Sequence, residues 1–253
     1  MKNKKTFSNK LSIAKQYFTN KIYSHIINRR LKSISFNCES NYRDGILKLN
    51  NFSLFCGKED FGAIMETCVL NDYQKMNEVR IREGDIVFDI GSHIGSFAVM
   101  AAKLGAKVYA FEPSKRNYDF LIKNIKLNHL EKDIIPFNIG IYNIDGKLGI
   151  NTETSNTGGY SVVEDFSEEI TVKKLSTIMK ENNLKKIDLI KIDVEGSEYE
   201  IFTGDFNSLP IDKIVGEYHL DWKRPKLGYS LVKKLLSTFN VGRYIPYYFY
   251  AIK

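Results

Sequence analysis

Cysteine is scarce and unpaired: Cys38, Cys56 and Cys68 are the three in 253 residues, and no Cys-x-x-Cys spacing joins any two of them. A disulfide framework and a zinc knuckle are both unsupported, and such usage suits a reducing cytoplasm. Long apolar runs are also missing. No stretch has the length of a membrane-spanning helix, and the N-terminal apolar residues are broken by Lys and Asn every few positions, unlike a secretion signal. Acidic residues are missing from the first 35 positions, which carry Lys2, Lys4, Lys5, Lys10, Lys15, Lys21, Arg29, Arg30 and Lys32. Removing those nine charges from the formal +7 leaves −2 for the rest of the chain. A nearly neutral body argues against nucleic acid as a partner, because such binding needs a basic patch on the folded surface and not only on an arm.

What the arm does contain is periodicity. Leu11, Ala14, Phe18, Ile22 and Ile26 recur at three- and four-residue intervals, with a basic opposite face, as in an amphipathic helix. Such a helix either packs on its own domain or attaches residues 1–32 to an anionic membrane surface, which would make the protein peripheral on the inner membrane face. Residues 45–56 then alternate around Asn50-Asn51 as a hairpin does, and a mixed helical stretch runs from about Asp60 to Val79. These segments form an N-terminal extension, residues 1–77, ahead of a main domain, residues 78–253.

From Asp85 onward, short apolar runs alternate with amphipathic helices. Strands are predicted near 86–90, 107–111, 133–138, 187–193 and 212–219, and helices near 96–104, 115–127, 171–182, 197–203 and 228–239. Continuous Val/Ile/Leu runs between helices predict a mostly parallel sheet covered on both faces, a doubly wound α/β fold. The last segment, Tyr244 to Lys253, has strand composition without a crossover helix before it, so it returns antiparallel. Gly146 to Ile170 is polar and long for a connection, as in a lid, a binding loop or a plain surface loop.

In an open parallel sheet, residues at the carboxyl ends of strands carry the chemistry. The stretch "IVFDIGSHIGSF" ends the first strand, but His93 and Ser96 occupy two positions where a dinucleotide fingerprint starting at Gly91 needs glycine. No phosphate-binding G-x-x-x-x-G-K-[ST] loop occurs either. What remains is Asp89-x-Gly91-x-x-x-Gly95 with Glu112 ending the second strand, twenty-one residues beyond Gly91. An acid there accepts hydrogen bonds from both ribose hydroxyls, so the ligand has a ribose and no pyrophosphate, and S-adenosylmethionine fits. The third piece is "IKIDVEGSE", a strand entering a carboxylate-rich turn. A plain alternative is that Asp193 or Ser197 caps the next helix and Glu198 completes the cap.

"VFDIGSHIG", "AFEPS" followed by "NIKLN", "IKIDVEGSE" and "VGEYHL" together resemble the FkbM family of S-adenosylmethionine-dependent methyltransferases, from about Gly84 to His219. The resemblance implies a class I methyltransferase, Rossmann-like, with a seven-stranded sheet whose last strand is antiparallel. It also implies O-methylation, often of a sugar hydroxyl in a glycan, glycolipid or glycosylated metabolite. Carried over position by position, it puts Asp89, Gly91 and Gly95 in the cofactor loop, Glu112 on the ribose, and Asp193, Glu195 and Gly196 in the active-site turn; Ser92, His93 and Asn138 are further candidates for binding the cofactor. Two departures are His93, where Asn is common, and Gly140, where Ala is usual. Glu217 and His219 end the fifth strand and join Asp193 and Glu195 as candidates for taking the acceptor's proton. The same carboxylates suit a divalent ion, and no metal ligand is assigned. An RNA methyltransferase and a noncatalytic binding module with this fold are the rival readings; no Pro-Pro-Tyr motif or strand-end Cys supports the first, and Asp89, Glu112 and Asp193 are intact against the second.

Overall fold

The structure, a computed structural model, describes residues 42–151, 161–162, 166–219, 229–245 and 248–253. The basic helix expected within residues 11–31 lies outside them. The first described elements are β1 (Tyr42–Arg43), β2 (Ile46–Lys48) and β3 (Ser53–Phe55), a three-stranded antiparallel sheet in that order. Alternation puts Leu47 and Leu54 opposite each other and fully buried, each worth about 1.5–3 kcal/mol. The predicted hairpin around Asn50-Asn51 is therefore present. Short helical turns follow, among them α1 (Phe61–Ile64), which runs into one wider π turn over Met65–Val69. They bury Ile64, Tyr73 and Val79.

The chain then builds β4 (Ile86–Ile90), α2 (Ser96–Lys103), β5 (Lys107–Phe111), α3 (Lys115–Leu127) and β6 (Ile134–Phe137). It leaves for a small second sheet of β7 (Gly140–Ile141), β8 (Gly146–Asn151), β9 (Ser161–Val162) and β10 (Glu168–Lys173). Through α4 (Leu175–Glu181) it returns as β11 (Ile187–Ile192), α5 (Glu198–Thr203), β12 (Ile211–Glu217), α6 (Tyr229–Leu235), β13 (Asn240–Ile245) and β14 (Tyr248–Ile252). The main sheet has seven strands in the order β6-β5-β4-β11-β12-β14-β13. Neighbours from β6 to β12 are parallel, whereas β14 runs antiparallel to both β12 and β13. This is the predicted class I arrangement. Its β4, β5, β11 and β12 are largely apolar and buried, and Phe88, Phe111, Ile190, Ile192 and Ile214 are fully buried.

Three sequence expectations need correction. The stretch 146–170 is not simply a loop: β8 and β10 pair antiparallel over five positions, from Glu168 opposite Ile150 to Val172 opposite Gly146. Ile150, Ile170 and Val172 form a small buried cluster with Leu148 and Tyr142 packed on it. Residues 171–173 therefore belong to a strand, and the helix expected from 171 begins at Leu175, since Ile170 and Val172 bury one face of a period-two pattern. The C-terminal hairpin likewise starts at Asn240, earlier than Tyr244.

The chain moves outward from β4 through β5 to β6, then crosses back to β11 and outward the other way to β12. β4 and β11 are thus the adjacent strands at which the winding reverses, and the crevice beyond their carboxyl ends is where a ligand binds in such sheets. Their register sets Lys191 opposite Asp89. All described residues lie within one compact unit.

Candidate active site

The loop after β4 takes left-handed backbone at every second residue: Gly91 at φ 76°, His93 at φ 53° and Gly95 at φ 86°. Only glycine can occupy the first of these, for two reasons. Its φ is positive, and a Cβ there would stand 1.8 Å from the carbonyl oxygen of Asp193, which joins the loop after β4 to the loop after β11. At Gly95 a Cβ would meet Leu121 Cδ1 at 2.5 Å, so glycine lets α2 sit against α3. His93 is among the side chains that tolerate a left-handed φ. Its Nε2 lies 3.2 Å from Asp60 Oδ1, in the segment before the main sheet. Asp60 is fully buried and also receives Arg116 and the backbone N–H of Gly57.

Glu112, one residue past β5, accepts the backbone N–H of His93 at 2.8 Å on one oxygen and that of Ser114 at 3.0 Å on the other. It clamps the two turns together. Burial pushes its carboxyl up to about 8, although the hydrogen bonds from Ser114 and His93 favour the charged form. Asn138, past β6, donates from Nδ2 to the carbonyls of Glu112 and Pro113 at 3.0 and 2.8 Å, holding the rim of this half. The hydroxyls of Ser92 and Ser114 are buried without a hydrogen-bond partner among the described residues. Gly140, the second departure from the family pattern, lies in β7; a Cβ there would crowd Val172 Cγ1 at 3.2 Å, so the second sheet favours the smaller residue.

Beneath both halves sits Lys191. It is 4% exposed, and its Nζ donates to the Gly91 carbonyl at 2.7 Å and stands 3.3 Å from Asp89 Oδ1 and 3.8 Å from Asp193 Oδ2. Burial alone would lower its pKa, but Asp89 and then Asp193 outweigh that and raise it. Asp89 is fully buried, and burial raises its carboxyl against the pull of Lys191. Asp89 thus pairs with the lysine that holds the Gly91 carbonyl. Lys191 was missed in the sequence, although a lone Lys inside the apolar run Ile187–Ile192 was the available signal.

The other half comes from the ends of β11 and β12. Glu195 and Gly196 take left-handed backbone at φ 51° and 101°, turning the chain sharply after Asp193. His219, two residues past β12, points Nε2 at Glu195 Oε2 (3.5 Å) and Asp193 Oδ1 (3.8 Å), while its Nδ1 lies 2.6 Å from Glu198 Oε1. The helix-cap alternative holds only for Glu198: Ser197 makes no capping hydrogen bond and Asp193 Oδ2 accepts the hydroxyl of Tyr73 at 2.8 Å, whereas Glu198 Oε1 accepts the Gly196 N–H at 3.3 Å and also meets His219. Glu217 ends β12 in the same neighbourhood.

Burial and charge pull these groups apart. Burial alone would raise Asp193, but Lys191, then His219 and Tyr73, hold it below the usual carboxylate value. Burial pushes Glu195 up to about 7 and Glu217 well above the ordinary range. It would lower His219, yet Glu198 and Glu195 lift that imidazole well above 6.5. Tyr73 escaped the sequence reading because it lies 120 residues before its partner and outside every motif.

The four acceptor-side candidates thus converge, and the cofactor-side candidates lie along the adjacent rim of β4, β5 and β6. A family model, the methyltransferase FkbM domain, matches residues 89–244. The hexuronic acid methyltransferase AglP of Haloferax volcanii is 28% identical over 140 residues, covering 54% of this chain and 57% of its own. The 31-O-demethyl-FK506 methyltransferase FkbM of Streptomyces tacrolimicus is 28% identical over 56% of this chain and 68% of its own. A tRNA (guanine(37)-N(1))-methyltransferase of Candida albicans is also 28% identical, over 64% of this chain and 36% of its own length. The match to AglP, like the others of lower coverage, spans only part of the relative.

Proposed function

Because the chain belongs to the methyltransferase FkbM domain family, we propose that it is an S-adenosylmethionine-dependent O-methyltransferase whose acceptor is a hydroxyl group of a sugar, in a glycan, glycolipid or glycosylated metabolite. The observation that carries this is the meeting of two unlike half-sites across β4 and β11, one glycine-lined with a single ribose-type acid, the other built from carboxylates and an imidazole. Gly91 leaves bare backbone beside the Asp193 carbonyl, and the unpartnered hydroxyls of Ser92 and Ser114 fit a polar ligand in that half. Gly91, Ser92, His93 and Gly95 would hold its amino-acid end, Glu112 its ribose and Asn138 the adenine side, with Asp89 paired to Lys191. S-adenosylmethionine supplies, when bound, a methyl group activated by the attached sulfonium.

The chain's own contribution is placement and proton removal. As the acceptor oxygen gains the methyl group and the methyl–sulfur bond breaks, the hydroxyl proton must leave. Asp193 Oδ1, Glu195 Oε2 and His219 Nε2 face one another and surround the place where that hydroxyl is best held. Asp193→Asn should accordingly retain affinity for S-adenosylhomocysteine while turnover falls about 10²-fold. Normal turnover in that variant would leave catalysis to positioning alone.

AglP is named for a hexuronic acid, which favours a sugar acceptor. The tRNA methyltransferase match keeps RNA as the rival. Calorimetry with S-adenosylhomocysteine and with NAD, followed by transfer of labelled methyl to glycosides or to total RNA, separates the readings. Tighter NAD binding would end the proposal, and label in RNA alone would replace its acceptor. We also assign residues 1–32 an affinity for anionic lipid, from their uninterrupted basic charge and apolar periodicity.

A further inference from the structure

We propose that Asp193, Glu195 and His219 bind a divalent cation, held through Asp193 Oδ1, Glu195 Oε2 and His219 Nε2. One donor atom from each residue lies within 4.8 Å of the others. Donors side by side on a six-coordinate ion with bonds of about 2.2 Å stand roughly 3.1 Å apart, and opposite donors roughly 4.4 Å. The separations of 3.5 and 3.8 Å from His219 Nε2 are thus within small side-chain rotations of a bound geometry.

Carboxylates close together do not by themselves make a metal site, and here the surroundings of the ligands carry the inference. A ligating histidine ordinarily has its other nitrogen held by a carboxylate or a carbonyl, which fixes the ring. Glu198 does this for His219: it is fully buried, with one oxygen 2.6 Å from Nδ1 and the other without a hydrogen-bond partner among the described residues. Asp193 is oriented in the same way, because the Tyr73 hydroxyl takes Oδ2 and leaves Oδ1 toward His219. Two of the three ligands therefore come with an outer partner that turns the free donor atom inward.

Charge points the same way. Asp193, Glu195, Glu198 and Glu217 gather around His219, and Lys191 stands closer to Asp89 than to Asp193. A divalent cation balances this excess. One imidazole with two carboxylates suits Mn²⁺ or Zn²⁺ better than a site made only of oxygen ligands would. Three protein ligands leave positions open for hydroxyl oxygens of an acceptor. That role rests on the methyl-transfer reading above, whereas the binding does not.

The test titrates Mn²⁺ into the metal-stripped full-length protein and follows the free ion by electron paramagnetic resonance, with and without S-adenosylhomocysteine. One saturable site is expected, weakened about 100-fold by His219→Ala or Glu195→Gln and about 10- to 100-fold by Glu198→Gln, which touches no ion. Glu112→Gln should leave Mn²⁺ affinity unchanged. Circular dichroism establishes that each variant is folded, as does S-adenosylhomocysteine affinity for every variant except Glu112→Gln, and His219→Gln replaces His219→Ala if the latter is not. Absence of saturation below about 1 mM Mn²⁺ overturns the site, as does binding that these substitutions leave untouched. Mn²⁺ binding without S-adenosylhomocysteine binding would refute the methyltransferase reading and leave the ion site standing.

Discussion

Glu112 makes two opposite demands on pH. Its folded carboxyl is pushed up to about 8 from an ordinary value of 4.5, so between those values the native protein holds a proton that the unfolded chain has lost. The associated stability is full below about 4.5 and is lost as pH rises through about 8. The ionised form is the better acceptor for ribose hydroxyls, so cofactor affinity should rise over the range where stability falls. Calorimetric affinities and urea midpoints measured from pH 6 to 9 check both slopes, and Glu112→Gln should flatten them. Above about pH 8, where the carboxyl is ionised, Glu112→Ala should weaken binding by about 1.5–3 kcal/mol, the cost of lost hydrogen bonds to a charged group. Lys191 acts differently, through charge beneath the site. Lys191→Met would leave Asp89 buried without its cation and should cost about 3–5 kcal/mol in urea denaturation. The double variant Lys191→Met/Asp89→Asn should recover part of that loss, and no recovery would mean the two are uncoupled.

The loop after β4 is the element most sensitive to one carbon atom. Gly91→Ala puts a Cβ 1.8 Å from the Asp193 carbonyl oxygen at a positive φ, which should lower stability by at least about 2 kcal/mol and abolish measurable S-adenosylhomocysteine binding. Gly62→Ala, in α1 with nothing within 4 Å, should be neutral or stabilising by up to about 1 kcal/mol, with both glycine variants measured by urea denaturation. Elements with continuous apolar runs were legible from sequence: β4, β5, β11 and β12 fall within two residues of their predicted spans. The second sheet was not, because β8 and β10 alternate Leu148, Ile150, Ile170 and Val172 with polar residues among loop-forming ones, and each strand acquires its meaning only from the other. The same limit applies to the site. Strand-end acids could be located by position, whereas Lys191 and Tyr73 matter through partners that only folding brings near.

At the scale of the whole molecule, the chain is asymmetric in charge and the site draws on distant segments. Tyr73 and Asp60 precede the family match at 89–244, yet they hold Asp193 and His93, so a fragment reduced to the matched span would lose both contacts. Among the described residues no helix is long and apolar enough to cross a membrane. Deleting residues 1–32 should leave cofactor binding intact and reduce co-sedimentation with anionic vesicles, an effect that must fade in high salt. Equal sedimentation of both forms would remove lipid as the role of the arm. One further consequence concerns encounters between copies of the chain. Asn124 and Asn128, from α3 and the residue that follows it, present their side-chain amides to β3: Asn124 pairs with the N–H and carbonyl of Phe55, and Asn128 with those of Ser53. A strand left bare at the rim of a three-stranded sheet is a template for another chain to add to, and here two asparagines occupy that template with the geometry of a neighbouring backbone. The "NIKLN" stretch thus leaves the outer backbone groups of Ser53 and Phe55 already taken, with nothing there for a second chain's strand to pair with.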